Sequence, residues 1–156
     1  MYNAVIEVPF GKLGIRTGDG VVKEIVYLPE STAAHAPDTP LARRAAQQVE
    51  RYLTRPVSSF DLPIEVVGTA FQQRVWQAIR EIPCGTVRTY GQLARQIGSA
   101  PRAVGQACGA NYFPLLSPCH RVVSSSGIGG FSNHDGDGYY RNIKRWLLAH
   151  EGLDYA

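Results

Sequence analysis

The sequence predicts an α+β fold, with a β-rich first half followed by a mainly helical second half. Three observations point to it. The first thirty residues hold Val- and Ile-rich runs broken by a Gly18-Asp19-Gly20 turn. From residue 69 onward the chain carries two Thr-x-x-Gln patterns, each leading into apolar residues at helical spacing. Of the 156 residues 44% are hydrophobic and only 19% charged, which supplies a packed core and excludes wholesale disorder.

Taken in order, residues 3–8, 13–17 and 21–28 are expected as strands, the last two joined by the Gly-Asp-Gly turn. Residues 31–38 form a polar, Pro-containing loop. Thr39 then offers an N-cap with Pro40 in the first turn, and Leu41, Ala45, Val49, Tyr52 and Leu53 keep helical spacing to about Arg55. Residues 60–67 look extended and lead out of a first domain, placed at residues 1–68, into a second at 69–156.

In the second domain Thr69 with Gln72 caps a helix whose apolar stripe is Phe71, Val75, Trp76 and Ile79, ending before Pro83. Thr89 with Gln92 opens a shorter helix carrying Leu93, Ala94 and Ile97, closed by Gly98. Pro101 starts the next one, running to about Gly109. Two short helices joined this tightly read as helix-turn-helix, a pattern also common in cores that never meet DNA. Ile143, Trp146, Leu147 and His150 mark a last helix with Gly152 as its stop, and the Gly-rich residues 127–138 are expected as a loop.

The formal net charge of +3 is unevenly spread. Residues 1–69 carry seven basic and eight acidic side chains, residues 70–156 nine basic and five acidic. Between Glu81 and Asp135 there is no carboxylate, while Arg88, Arg95, Arg102 and Arg121 fall in that gap, so a polyanion docks there without a repelling charge. No apolar run approaches a membrane span, and the N-terminus lacks the layout of a secretory signal, so a soluble cytoplasmic protein is expected. Cys84, Cys108 and Cys119 have neither disulfide-framework nor zinc-knuckle spacing and read as free thiols. His35, His134 and His150 have no partner that the sequence names, and no metal site or cofactor is expected.

The segment Ser117-Pro118-Cys119-His120-Arg121-Val122-Val123 carries the chemistry. Pro118 bars Cys119 from a helix interior and favours an extended approach. A nucleophilic cysteine needs a base to take its proton, and His120 is adjacent. Neighbours in an extended chain point apart, so a water is expected between the two side chains. Taken alone, a Cys-His dipeptide is more often structural than catalytic.

Pro118-Cys119-His120-Arg121-Val122 resembles the active-site signature of the O6-alkylguanine-DNA alkyltransferases, the methylated-DNA–protein-cysteine methyltransferases. Phe71-Gln72-Gln73-Arg74-Val75-Trp76, Ile82-Pro83-Cys84-Gly85-Thr86-Val87 and Tyr90-Gly91-Gln92-Leu93-Ala94 are similar to that family in the same order. So are Arg102-Ala103-Val104-Gly105, Asn111 and the closing run from Arg145 to Gly152. The resemblance spans residues 69–152. The first half resembles the family's ribonuclease-H-like β-rich domain loosely, through Gly11-Lys12-Leu13-Gly14-Ile15.

The resemblance implies a single-turnover repair protein. It acts as a monomer on double-stranded DNA containing O6-alkylguanine, with O4-alkylthymine as a further substrate, and moves the alkyl group onto Cys119 after flipping the nucleotide out of the stack. His120 is then the general base, Glu151 orients it, and Asn111 holds the helix end against the active-site turn. Tyr90 hydrogen-bonds the base, the Cys119 and Val122 carbonyls accept its amino group, Phe131 walls the pocket and Ser132 donates toward O6. Arg102 fills the gap left by the flipped nucleotide. Ala103, Gly105, Ala107, Gly109 and Ala110 make a helix surface small enough to approach the minor groove. Cys84 and Cys108 match no nucleophile position and, sitting in unrelated contexts, are expected to be inert. One departure stands out: residues 133–142 are longer and more polar than the short Gly-Gly-type turn the family uses there.

Two other classes remain open at this stage. A non-enzymatic damage sensor of the alkyltransferase-like kind carries another residue, often Trp, where Cys119 stands. A helix-turn-helix regulator would dress its recognition helix with long polar side chains. Transfer of label from alkylated DNA to protein separates all three.

Overall fold

The computed structural model describes residues 1–131, 136 and 138–155. It divides into two compact units, Met1–Val66 and Val67–Ala156. The α+β class is as the sequence predicts.

In the first unit, β1 (Ala4–Val8), β2 (Gly11–Gly18) and β3 (Val21–Leu28) form an antiparallel meander in the order β1-β2-β3. Alternation puts Leu13 and Ile15, and Ile25 and Tyr27, on the buried face, and a register shift that skips Lys23 brings Val22 to the same face. Helix α1 (Pro40–Thr54) packs on that sheet. Its Thr39 cap accepts from the Ala42 N–H at 3.0 Å, and its buried face is Ala42, Ala45, Ala46, Gln48, Val49 and Tyr52. The expected stripe is thus rotated, because Leu41 and Leu53 are only half-buried, whereas Gln48 is buried and accepts from the Asp61 N–H at 3.1 Å. Residues 60–67 run extended as expected, bonding β3 through Val22 and Ile64. His35 does have a partner, Asp38, at 3.0 Å.

In the second unit, α2 (Ala70–Arg80), α3 (Tyr90–Ile97) and α4 (Pro101–Gly109) pack on one another. Thr69 and Thr89 make the reciprocal capping boxes with Gln72 and Gln92, and Gly98 ends α3 in the left-handed region at φ +70°. Trp76, 1% exposed, donates from Nε1 to the Ala107 carbonyl at 2.8 Å and so ties α2 to α4. Two short strands absent from the sequence reading, β4 (Arg88–Thr89) and β5 (Val122–Val123), pair in parallel. Helix α5 (Tyr139–His150) buries Ile143, Lys144, Leu147 and Leu148. Trp146 is half-buried and stacks on His150 at 4.8 Å, so this histidine also has a neighbour. No described helix is long and apolar enough to cross a membrane. Ser132, His134 and the rest of 133–135 and 137, part of the departure at 133–142, lie outside the described residues.

Candidate active site

The chain leaves α4 through Asn111, whose side chain bonds three groups. Its Nδ2 donates to the Ser117 carbonyl at 2.7 Å and to Cys119 Sγ at 3.1 Å, and its Oδ1 accepts from the Phe113 N–H at 2.9 Å. Between these anchors Leu115 sits at φ +75°, a left-handed conformation costing an L residue about 1–2 kcal/mol, with its side chain buried.

Cys119 does not lie in an extended segment. It opens a single 3-10 turn, Cys119–Arg121, in which the Arg121 N–H bonds the Pro118 carbonyl at 2.9 Å and the Val122 N–H returns to the Cys119 carbonyl. Pro118 fits just before such a turn because no N–H is needed from it there. The sulfur ends up almost covered, with Cys119 7% exposed.

His120 is fully buried. Its Nε2 lies 2.7 Å from Glu151 Oε2, at the C-terminal end of α5. Glu151 also receives Arg121 Nε on Oε1 at 2.8 Å, Arg121 Nη2 on Oε2 at 3.0 Å and, more loosely, the Gly85 N–H at 3.5 Å. A third donor of Arg121, Nη1, bonds the Ile82 carbonyl at 2.8 Å. Burial pushes His120 below its ordinary value of 6.5, aided by the charges of Arg121 and Lys144 and opposed by Glu151. A neutral imidazole donating from Nε2 keeps a lone pair on Nδ1, and that atom is buried without a protein partner. This lone pair is a ready proton acceptor.

The parallel pairing of β4 with β5 sets Arg88 beside Val122 and Thr89 beside Val123, which brings Tyr90, the first residue of α3, alongside the Cys119 turn. The Tyr90 hydroxyl donates to the Gly130 carbonyl at 3.4 Å. Lys144 enters the same space from α5: Nζ donates to the Val122 carbonyl at 2.6 Å and the Gly130 carbonyl at 2.9 Å. Its ammonium lies 5.7 Å from the Tyr90 ring centroid and 5.9 Å from that of Phe131. Burial pushes Lys144 from 10.5 down to about 8. The Val122 carbonyl therefore keeps one lone pair for another donor, and Phe131 is buried beside the Lys144 ammonium.

On α4, Arg102 is exposed in the first turn, while Ala103 and Gly105 are half-buried. Ala107 faces inward with Val104, so the small-residue surface is narrower than its sequence stripe.

Residues 70–153 match the family model described as 6-O-methylguanine DNA methyltransferase, DNA binding domain. The chain belongs to that family. It is 34% identical to the methylated-DNA–protein-cysteine methyltransferase of Methanosarcina acetivorans, over 97% of this chain and 99% of that one. The crystal structure of the Mycobacterium tuberculosis O6-methylguanine methyltransferase superposes with a TM-score of 0.79 at 35% identity, covering 97% of this chain and 93% of that one. The same Mycobacterium protein in complex with DNA matches equally well, TM-score 0.79, over 95% of this chain and 91% of that one.

Within this family fold, three partners of the site, Lys144 fully buried and Arg121 and Arg80 partly so, escaped the sequence reading. Lys144 falls on the buried stripe of α5, four residues before Leu148, and a lysine at such a position is the signal that could have found it. Arg121 was read as part of a basic segment and of the active-site signature, with no role of its own, although it grips Glu151 thirty residues away. Arg80 donates to the buried Ser117 Oγ at 2.9 Å, and its charge also faces Cys119. Cys108 needs a correction as well, since it sits beside the nucleophile and not in an unrelated context. A hydrogen bond with Cys119, followed by burial, holds its thiol well above the usual range. Burial, then Glu151, raises Cys84. Both remain thiols at neutral pH and so are poor nucleophiles.

Proposed function

We propose that this protein repairs DNA by direct reversal, taking the alkyl group from O6 of guanine, or O4 of thymine, irreversibly onto Cys119 of a monomer. The observation that carries the reading is the buried His120, bound at Nε2 by Glu151 and with no protein partner at Nδ1, in the same tight turn as a sulfur held by Asn111. The thiol proton passes through a water to Nδ1, and Glu151 steadies the imidazolium that forms. Sulfur then attacks the alkyl carbon in line with the carbon–O6 bond, a C–S bond replaces it, and guanine leaves. Tyr90 supports the departing base from its hydroxyl. The Cys119 and Val122 carbonyls receive its amino group, and Phe131 stacks against it. Ser132 is assigned the donor role toward O6 on sequence grounds alone.

In this reading residues 1–68 form the β-rich domain and residues 69–156 the DNA-binding, alkyl-accepting domain. Base extrusion falls to Arg102, exposed at the start of α4, with Ala103 and Gly105 against the minor groove. The three free thiols fit the reducing cytoplasm.

A thioether offers no good leaving group and no carbonyl for water, so each chain is spent after one transfer. Mass spectrometry after incubation with excess O6-methylguanine DNA tests this directly. One methyl per chain on Cys119 is expected, lost in Cys119→Ser and kept in Cys84→Ser and Cys108→Ser. Repeated turnover, or methyl on either other cysteine, would sink the mechanism.

A further inference from the structure

A buried carboxylate next to a histidine draws a proton onto the imidazole, because a negative charge in a poor dielectric favours a positive one beside it. Such an imidazolium would have no lone pair left on Nδ1 and could accept nothing from a thiol. The charge on Glu151 is met differently. Arg121 approaches it with Nε and Nη2, one on each carboxylate oxygen, at 2.8 and 3.0 Å, while Nη1 is pinned to the Ile82 carbonyl. The guanidinium is permanently charged and matches the carboxylate fork, so the pair is neutral before His120 is considered.

We propose that Arg121 is the positioning residue of the relay: its two-pronged hold on Glu151 leaves His120 beside the carboxylate as a neutral imidazole, donating at Nε2 and accepting at Nδ1. This rests on the alkyl-transfer reading above and adds to it the group that sets the base's working state. Among the described residues, the charged groups that act on His120 fit the assignment. Lys144, from α5, adds a second positive charge that disfavours imidazolium. Cys119 and Cys108 lie on the sulfur side, where Arg80 also faces Cys119, and Cys84 faces Glu151 and Arg121. Among these groups Glu151 alone draws a proton onto His120, and Arg121 is the one that engages both its oxygens.

The test follows His120 by NMR of histidine-¹⁵N-labelled protein, alongside the pH dependence of alkyl transfer to Cys119. In the parent at neutral pH only Nε2 should carry a proton. In Arg121→Gln, the imidazolium signals of His120 should appear at higher pH than in the parent, and the acid limb of the rate profile should move up with them by about one pH unit, a roughly tenfold loss of rate on that side. Arg121→Lys keeps the charge without the fork. It should restore most of the parent profile, and it serves as the variant of record if Arg121→Gln does not fold. A doubly protonated His120 in the parent would overturn the proposal. So would a folded Arg121→Gln in which neither the His120 signals nor the profile moves, or an Arg121→Lys no better than glutamine. If the parent transfers no alkyl group the repair reading falls, and the NMR arm still decides the state of His120.

Discussion

Near neutral pH the Lys144 ammonium is held inside the C-terminal unit with none of its surface in water, and Lys144→Met removes the charge with little change in side-chain length. A fall from 10.5 to about 8 means that the fold resists this charge by about 3 kcal/mol relative to the unfolded chain. Against that release stands the loss of a donor to the Val122 carbonyl, about 1–3 kcal/mol for an acceptor left unpaired, while the Gly130 carbonyl keeps the Tyr90 hydroxyl. At neutral pH the two effects nearly cancel, and the variant should lie within about 2 kcal/mol of the parent. The sign of the pH dependence is more telling. A folded-state value below the unfolded one means that the unfolded chain binds more protons between about 8 and 10.5, so the parent gains stability across that window. Methionine has nothing to titrate. Denaturant unfolding of both proteins at a series of pH values should therefore show parent minus variant rising by up to about 3 kcal/mol on the alkaline side. A flat or falling difference would refute the buried, strained cation.

Other outcomes follow from neighbouring features. His120, pushed below 6.5 by burial, binds a proton in the unfolded chain before it does in the fold, so stability should fall as pH drops from 6.5 through the lowered folded value; denaturant midpoints that hold steady there would contradict a neutral buried imidazole. Trp76→Phe removes the buried bond to the Ala107 carbonyl along with part of a fully packed ring, and thermal unfolding should report a loss of about 2–3 kcal/mol. Gly129 sits at φ +77°, and an added Cβ would meet the Ser124 nitrogen and the Tyr90 ring at 3.1 Å; Gly129→Ala should slow reaction with free O6-benzylguanine, and an unchanged rate would show that Tyr90 is not confined there. Arg102→Ala should keep the fold yet slow repair of duplex DNA far more than reaction with the free base, whereas equal losses would remove its role in extrusion.

What could be read in advance was what is local. A capping box needs Thr and Gln three residues apart, and both boxes formed; Thr39 and Gly98 are single-residue signals, the first starting its helix and the second ending its own where expected. The burial faces were less legible, because Leu41 and Trp146 look like core residues by type, while Gln48 and Lys144 are the ones sealed in. Hydrogen bonds to Asp61 and to two carbonyls permit that, and no periodicity shows them. The site divides the same way. The family resemblance supplied Cys119, His120, Glu151, Asn111 and Tyr90 as candidates, yet said nothing of the β4–β5 pairing, the 3-10 turn, the Arg121 fork or the closeness of Cys108. Each of these depends on residues brought together from distant parts of the chain.

The covering of Cys119 has a consequence for the protein's idle life. A thiol that reacts irreversibly once is consumed by any stray electrophile as surely as by its proper target. With 7% of Cys119 exposed, small alkylating agents and oxidants in bulk solvent meet the sulfur far less often than they meet a surface cysteine. Protection of this kind works through access and leaves intrinsic reactivity untouched, so an unused molecule keeps for as long as the turn stays shut. Its shelf life is then governed by the local opening of residues 111–121, and anything that loosens Asn111 or the turn should shorten it without touching the chemistry.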